Sequence, residues 1–172
     1  MQFKEKTKTS KYLYEGKILN LRKDEITLPD GKDAVREVVE HSGGSAILCE
    51  KDGKILLVRQ FRYPYKEEIL EIPAGKLNKG EDPAQTAIRE LEEEGGIIAG
   101  SVEKLFDVYP SPAYTDEIIR IYRAIDIKEG EQHLDEGEFL NAEWFDKPTL
   151  REMIKNGQIK DGKTLIALLT IL

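Results

Sequence analysis

The sequence predicts an α+β domain on a mixed β-sheet, preceded by a β-rich N-terminal arm. Runs rich in β-formers fill the first half and return after the middle, one helix with full start and stop signals interrupts them, and helical segments close the chain. Strands in both halves around a single central helix do not fit a doubly wound βαβ array.

In order, Lys11–Tyr14 and Ile18–Leu28 are strands, and Pro29-Asp30-Gly31-Lys32 is a turn leading into a third strand, Ala34–His41. These form the arm, residues 1–42. Ser42-Gly43-Gly44 punctuates the chain, so the main domain is expected at 43–172. Ser45–Glu50 and Ile55–Arg62 flank Lys51-Asp52-Gly53-Lys54 as a tight hairpin. Glu68–Pro73 is a short strand running into the loop that begins at Ala74-Gly75. Asp82 then serves as N-cap, Pro83 as first helical residue and Gln85 as the capping-box partner, with Gly95-Gly96 as the stop. Ala84, Ala87, Ile88 and Leu91 recur at three and four and mark the core face. Val102–Tyr109 and Glu117–Asp126 are strands around the loop Pro110–Asp116, Glu143–Phe145 is a short strand, and helices are expected at about 148–156 and 162–172.

Of 172 residues, 26 are Lys or Arg and 33 Asp or Glu, a formal charge of −7, with 40% hydrophobic and 34% charged residues. That is a globular balance, not a disordered one. Net acidity argues against bulk nucleic-acid binding but is compatible with a small anionic ligand held through a cation. The longest mostly apolar run, Leu165–Leu172, is far short of the ~20 residues of a membrane span, and the first ten residues lack an apolar signal core. The lone Cys49, in an apolar run, reads as a small buried hydrophobe, and a cytoplasmic setting is expected.

The chemistry concentrates in Gly75–Ile97. On its helix Glu90 and Glu94 stand one turn apart with Glu93 beside them, and Glu81 lies just before the N-cap. Like charges at these separations cost an isolated helix a few tenths of a kcal/mol per pair, which stability alone does not explain. A hard divalent cation such as Mg²⁺ does, because it takes carboxylate oxygens and leaves positions for water and substrate phosphates. The alternative is a merely solvated acidic face. Arg89 can orient a neighbouring carboxylate through its planar fork.

The spacing decides between them. Gly75, five residues, Glu81, seven residues, Arg89-Glu90-Leu91, one residue, Glu93-Glu94, one residue, Gly96-Ile97 matches every specified position of the Nudix box. The segment resembles the Nudix hydrolases. The resemblance implies an α/β/α sandwich around a mixed sheet and hydrolysis of a nucleoside diphosphate linked to another moiety. It further implies Glu90 and Glu94 as metal ligands, Glu93 as a ligand directly or through water, Arg89 as their orienting partner and the carbonyl of Ala74 as a further ligand, with Mg²⁺ the expected cofactor and Mn²⁺ a substitute.

Val58-Arg59-Gln60-Phe61-Arg62 followed by Glu71-Ile72-Pro73-Ala74-Gly75, and Pro112 fifteen residues after Ile97, are similar to the ADP-ribose pyrophosphatase branch. So is Arg36-Glu37-Val38-Val39-Glu40-His41 with the arm, which that branch uses to form homodimers. The implied reaction is hydrolysis of ADP-ribose to AMP and ribose 5-phosphate. Another nucleoside diphosphate sugar is the alternative substrate, and a non-catalytic nucleotide sensor the alternative class. The branch usually takes its general base from a loop beyond the box. Asp135-Glu136-Gly137-Glu138 matches that loop, with Glu136 preferred as base and Glu138 as metal support; an acidic surface loop is the alternative. Arg36 and Arg62 are candidates for phosphate or ribose recognition, or else strand arginines lying along the surface. Tyr12 could stack on adenine from the arm or pack at an interface.

Overall fold

The computed structural model describes residues 3–172. They divide into two compact units: the chain up to Gly43 with Tyr109–Ile118, and Gly44–Val108 with Ile119–Leu172.

The first unit is an antiparallel meander of β1 (Lys6–Glu15), β2 (Leu19–Thr27) and β3 (Asp33–His41) in the order β1-β2-β3. The expected turn closes between β2 and β3, where the Gly31 amide donates to the Leu28 carbonyl at 2.9 Å. β1 begins at Lys6, well before the expected Lys11, because its polar start pairs with β2 without any hydrophobic period; Thr9 Oγ1 donates to Glu25 at 3.1 Å. Ile26 is the buried hydrophobe of this sheet. Its buried charge, Asp24, is met by Arg22, which also pairs with Glu40. The sequence reading assigns Tyr109–Ile118 to the main domain; in the structure these residues group with the arm. The Val39 amide donates to the Tyr114 carbonyl at 2.7 Å, and the His41 amide to Asp116 Oδ1 at 2.9 Å. Bonds between residues so far apart in sequence leave no local signal.

The second unit holds β4 (Gly44–Leu48), β5 (Glu50–Lys51), β6 (Lys54–Arg62), β7 (Glu67–Glu71), β8 (Ala74–Lys76), α1 (Pro83–Gly95), β9 (Ile97–Val108), β10 (Ile119–Glu129), β11 (Leu140–Asp146), α2 (Lys147–Lys155) and α3 (Gly162–Leu168). One sheet runs β8-β4-β10-β9, with β10 parallel to β4 and the other pairs antiparallel. The other runs β11-β6-β5, with β7 also on β6. Alternation along β4 makes the core two-sided. Ala46 and Leu48 pack in one cluster with Leu150 of α2 and Ala167 and Leu168 of α3; Ile47 and Cys49 pack in another with Ala87 and Leu91 of α1. Helices thus cover both faces of a mixed sheet, the expected α/β/α sandwich. Leu91 is completely buried, and truncating it to Ala is expected to cost about 2–5 kcal/mol.

Helix α1 follows its signals closely. Asp82 caps it by accepting from the amides of Ala84 and Gln85, and Gly96 ends it at φ 62°, a left-handed conformation that suits glycine. β8 is a strand where the sequence suggested a loop; it is too short for a period to be read, and pairing with β4 creates it. Among the described residues no helix is long and apolar enough to cross a membrane.

Candidate active site

The site grows from the junction of β8 and α1. The apolar stripe of α1 packs on the sheet, which turns Glu90 and Glu94, one turn apart, toward β8. Both are buried. Gly75 makes this possible: a Cβ there would lie 1.8 Å from Glu90 Oε1, so the Glu90 carboxylate occupies the space a side chain would fill. Glu94 Oε2 accepts from the Ala74 amide at 2.9 Å, pinning the β8 backbone to the helix.

Arg89 organises the surrounding acids. Its Nε donates to Glu81 Oε1 at 3.0 Å, and Nη1 lies 2.6 Å from Glu93 Oε2 and 2.8 Å from Glu90 Oε1. The Arg89 hydrogen bond holds Glu81 down at about 2, and Glu81 in turn raises the guanidinium further above its ordinary value. Glu81 also accepts from the Asn78 amide at 3.0 Å, which fixes the loop before the helix.

Glu90 and Glu94 behave in the opposite way. Burial pushes Glu94 up to about 8 against the Ala74 hydrogen bond, and the charges of Glu90 and Glu138 add to the rise. Burial raises Glu90 to about 7 even though Arg89 opposes it, with Glu93 and Glu138 contributing. Two adjacent buried carboxylates without enough positive charge are an unfavourable arrangement, and their hard oxygen donors fit a divalent cation. Among the described residues no three acidic, imidazole or thiol groups converge tightly enough to hold an ion by themselves. A cation held by these carboxylates would complete its shell with oxygens from further groups, water or a substrate.

The loop after β10 is tied to the end of α1. The His133 amide donates to the Glu93 carbonyl at 3.0 Å, and Gln132 Nε2 to the Glu94 carbonyl at 2.7 Å, so helix carbonyls that would lack partners are satisfied from this loop. Beyond it the Glu138 amide donates to the Asp135 carbonyl at 3.0 Å, closing a turn around Gly137 at φ 87°. Of the two loop acids, Glu138 is half-buried and its charge is felt at both Glu90 and Glu94, whereas Glu136 is exposed.

Arg62 also belongs to this unit. It donates to both oxygens of buried Glu71, at 2.5 and 2.7 Å, while Lys163 of α3 pairs with the same carboxylate. Burial works to raise Glu71, and the two cations outweigh it and hold the carboxyl below its ordinary range. These three side chains line a cavity of about 470 Å³ with Tyr65 and Lys160, and Glu94 lies close enough for its charge to act on Arg62. The pairing of Glu71 with Lys163 has no signal in the sequence, because α3 meets β7 only in three dimensions. Tyr12 and Arg36 lie in the arm unit, where both are exposed and Arg36 pairs with Glu5. Cys49 is fully buried and its thiol is pushed up to about 12 by that burial, as an inert core residue should be.

The chain is similar to known proteins along nearly its whole length. The chain is 40% identical to the ADP-ribose pyrophosphatase of Bacillus subtilis (strain 168), over 95% of this chain and 90% of that protein. It is also 40% identical to the methanol dehydrogenase activator of Bacillus methanolicus, over 96% and 91%. A crystal structure of an ADP compounds hydrolase superposes with a TM-score of 0.85 at 19% identity, covering 96% of this chain and 91% of that one, a likeness of fold. Residues 5–39 match the nucleoside diphosphate sugar hydrolase N-terminal domain. Residues 39–168 match the NUDIX domain, and with the acidic helix, its arginine and its glycine cradle inside that span, the chain belongs to the Nudix family of hydrolases.

Proposed function

We propose that this protein hydrolyses the diphosphate of ADP-ribose to AMP and ribose 5-phosphate, with Mg²⁺ as cofactor and Mn²⁺ as a substitute. The observation that carries the reading is the buried Glu90 and Glu94 pair over Gly75, in a chain 40% identical along nearly its whole length to an ADP-ribose pyrophosphatase.

Glu90 and Glu94 would hold the cation, with Glu93 and the Ala74 carbonyl as further donors. Bound there, Mg²⁺ would neutralise diphosphate charge and acidify a water molecule. The remaining work falls to the chain. Arg89 keeps Glu81, Glu90 and Glu93 in fixed orientation, so that no carboxylate has to reorganise during the reaction. A carboxylate of the Asp135–Glu138 loop takes the proton from the attacking water. Resemblance favours Glu136 for this and proximity to the acidic pair favours Glu138, to which we assign it. Arg62, already half neutralised by Glu71, is suited to a diphosphate oxygen or a ribose hydroxyl. Arg36 and Tyr12 serve substrate binding only if the arm meets a site, which is one reason we read the protein as a homodimer. A cytoplasmic setting is part of the same reading, supported by the single, buried cysteine.

The match of residues 5–39 to a nucleoside diphosphate sugar hydrolase domain supports a second reading, in which a different sugar nucleotide is preferred. Release of phosphate from a panel of nucleoside diphosphate derivatives, coupled to alkaline phosphatase, separates the two. ADP-ribose should give the highest kcat/KM, with AMP and ribose 5-phosphate as products. A higher value for another sugar nucleotide would move the assignment to it, and no cleavage of any diphosphate would remove the enzymatic reading.

A further inference from the structure

Ser45 is completely buried, and among the described residues its Oγ is the one buried side-chain polar atom without a hydrogen-bond partner. Such an atom is costly unless something satisfies it in the working state of the protein. Its place in the sheet says what that is.

In β4 the side chains of Ala46 and Leu48 enter the cluster that includes α2 and α3, and that of Ile47 enters the cluster beneath α1. By alternation Ser45 lies on the α1 side. Ser45 is the residue directly opposite Gly75 in the antiparallel pair of β4 and β8. Opposite residues project to the same face with Cβ positions about 5 Å apart. The Cβ position of Gly75 is filled by the Glu90 carboxylate. The Ser45 hydroxyl therefore stands beside that carboxylate, separated from it by no other side chain of the ladder. On its other flank the register neighbour is Arg120, whose side chain offers only donors.

We propose that Ser45 is a positioning residue for Glu90: when the acidic pair takes up a divalent cation, the hydroxyl turns to donate to the Glu90 carboxylate and fixes which oxygen faces the cation. This rests on the metal-binding reading of Glu90 and Glu94 above. The geometry is economical, because rotation about one side-chain bond reaches the partner and the strand backbone stays in place.

The test is calorimetric titration of Mn²⁺ alone, without substrate, into the full chain and three variants, with melting curves of each metal-free protein. Ser45→Ala should weaken Mn²⁺ binding about tenfold, the size typical of a lost partner to a metal ligand. Ser45→Thr, which keeps the hydroxyl, should restore it to near the parent value. Metal-free Ser45→Ala should melt no lower than the parent, since it loses only an unpartnered hydroxyl. A Ser45→Ala isotherm equal to that of the parent, while Glu94→Gln abolishes binding, overturns the Ser45 assignment alone. A lower metal-free melting temperature that accounts for the affinity loss also overturns it, because the residue would then be structural. If the parent takes up no Mn²⁺ and Glu94→Gln is indistinguishable from it, both the Ser45 assignment and the metal reading fall.

Discussion

On α1 the charged residues Glu90 and Glu94 are only 8% and 4% exposed, whereas in the arm sheet the large apolar residues Tyr12, Leu13 and Tyr14 stand 46%, 49% and 59% exposed. Each region inverts the usual preference, in opposite senses. Buried like charges suit a cation, and exposed apolar side chains on a strand with little core beneath it suit another surface. The carboxylates are held by an exact local framework, with Gly75, Arg89 and the Ala74 amide each touching them. Among the described residues of the arm strands, Ile26 alone is a buried hydrophobe. One region is preorganised, its acids framed by neighbouring groups, and the other leaves large apolar side chains exposed.

The largest expected effect lies in the preorganised region. Glu94→Gln should lower turnover at least ~100-fold, because the lost charge acts mainly in the transition state. The metal-free variant should melt no lower than the parent, since a neutral amide replaces a carboxyl that burial disfavours as an anion. Circular dichroism and steady-state kinetics on one preparation check both. A loss of turnover that tracks unfolding would break the comparison.

Next comes the loop. Glu138→Gln should depress turnover by roughly 100-fold with little change in KM, the usual scale for a positioned general base, and Glu136→Gln should do much less. The reverse ranking would return the base to Glu136. Both silent would put it on α1, with Glu93 the next candidate.

The arm is tested by association. Replacing Leu13 with Asp should dissociate the dimer, because burying one such side chain is worth about 1.5–3 kcal/mol and a charge there reverses the sign. Light scattering at micromolar concentration should then read a monomer, against a dimer for the parent. A parent that is already monomeric would remove the need for a covering copy.

The smallest effect is on acid stability. Arg62 and Lys163 hold Glu71 below its ordinary range in the folded chain. A carboxyl depressed on folding contributes stability above its unfolded pKa, and that contribution is lost as pH falls through the folded value. Stability measured by urea unfolding should therefore decline below about pH 4.3, the ordinary glutamate value. Lys163→Met should flatten this decline; an unchanged slope would deny the pairing any role.

Much of the first region was legible in the sequence. Asp82, Pro83 and Gly96 write the ends of α1, and the box spacing writes the identity of its acids, because both signals are local. The register that opposes Ser45 to Gly75 was not legible, since β8 has three residues and exists only through its pairing with β4. Nor was the partnership of Glu71 with Lys163, whose residues meet from opposite ends of the main domain. In the loop, sequence locates an acidic turn but not the burial of its carboxylates, which leaves Glu138 half-buried and Glu136 exposed. In the arm, Tyr12 was visible as a residue able to pack at an interface.

The most direct test of the central account follows ADP-ribose and its products by chromatography while the protein is stripped with EDTA and then resupplied with Mg²⁺. Cleavage should stop in chelator, return in proportion to added Mg²⁺ and yield AMP and ribose 5-phosphate in equal amounts, with Glu94→Gln failing to recover at any Mg²⁺ concentration. Undiminished cleavage in excess EDTA would contradict it.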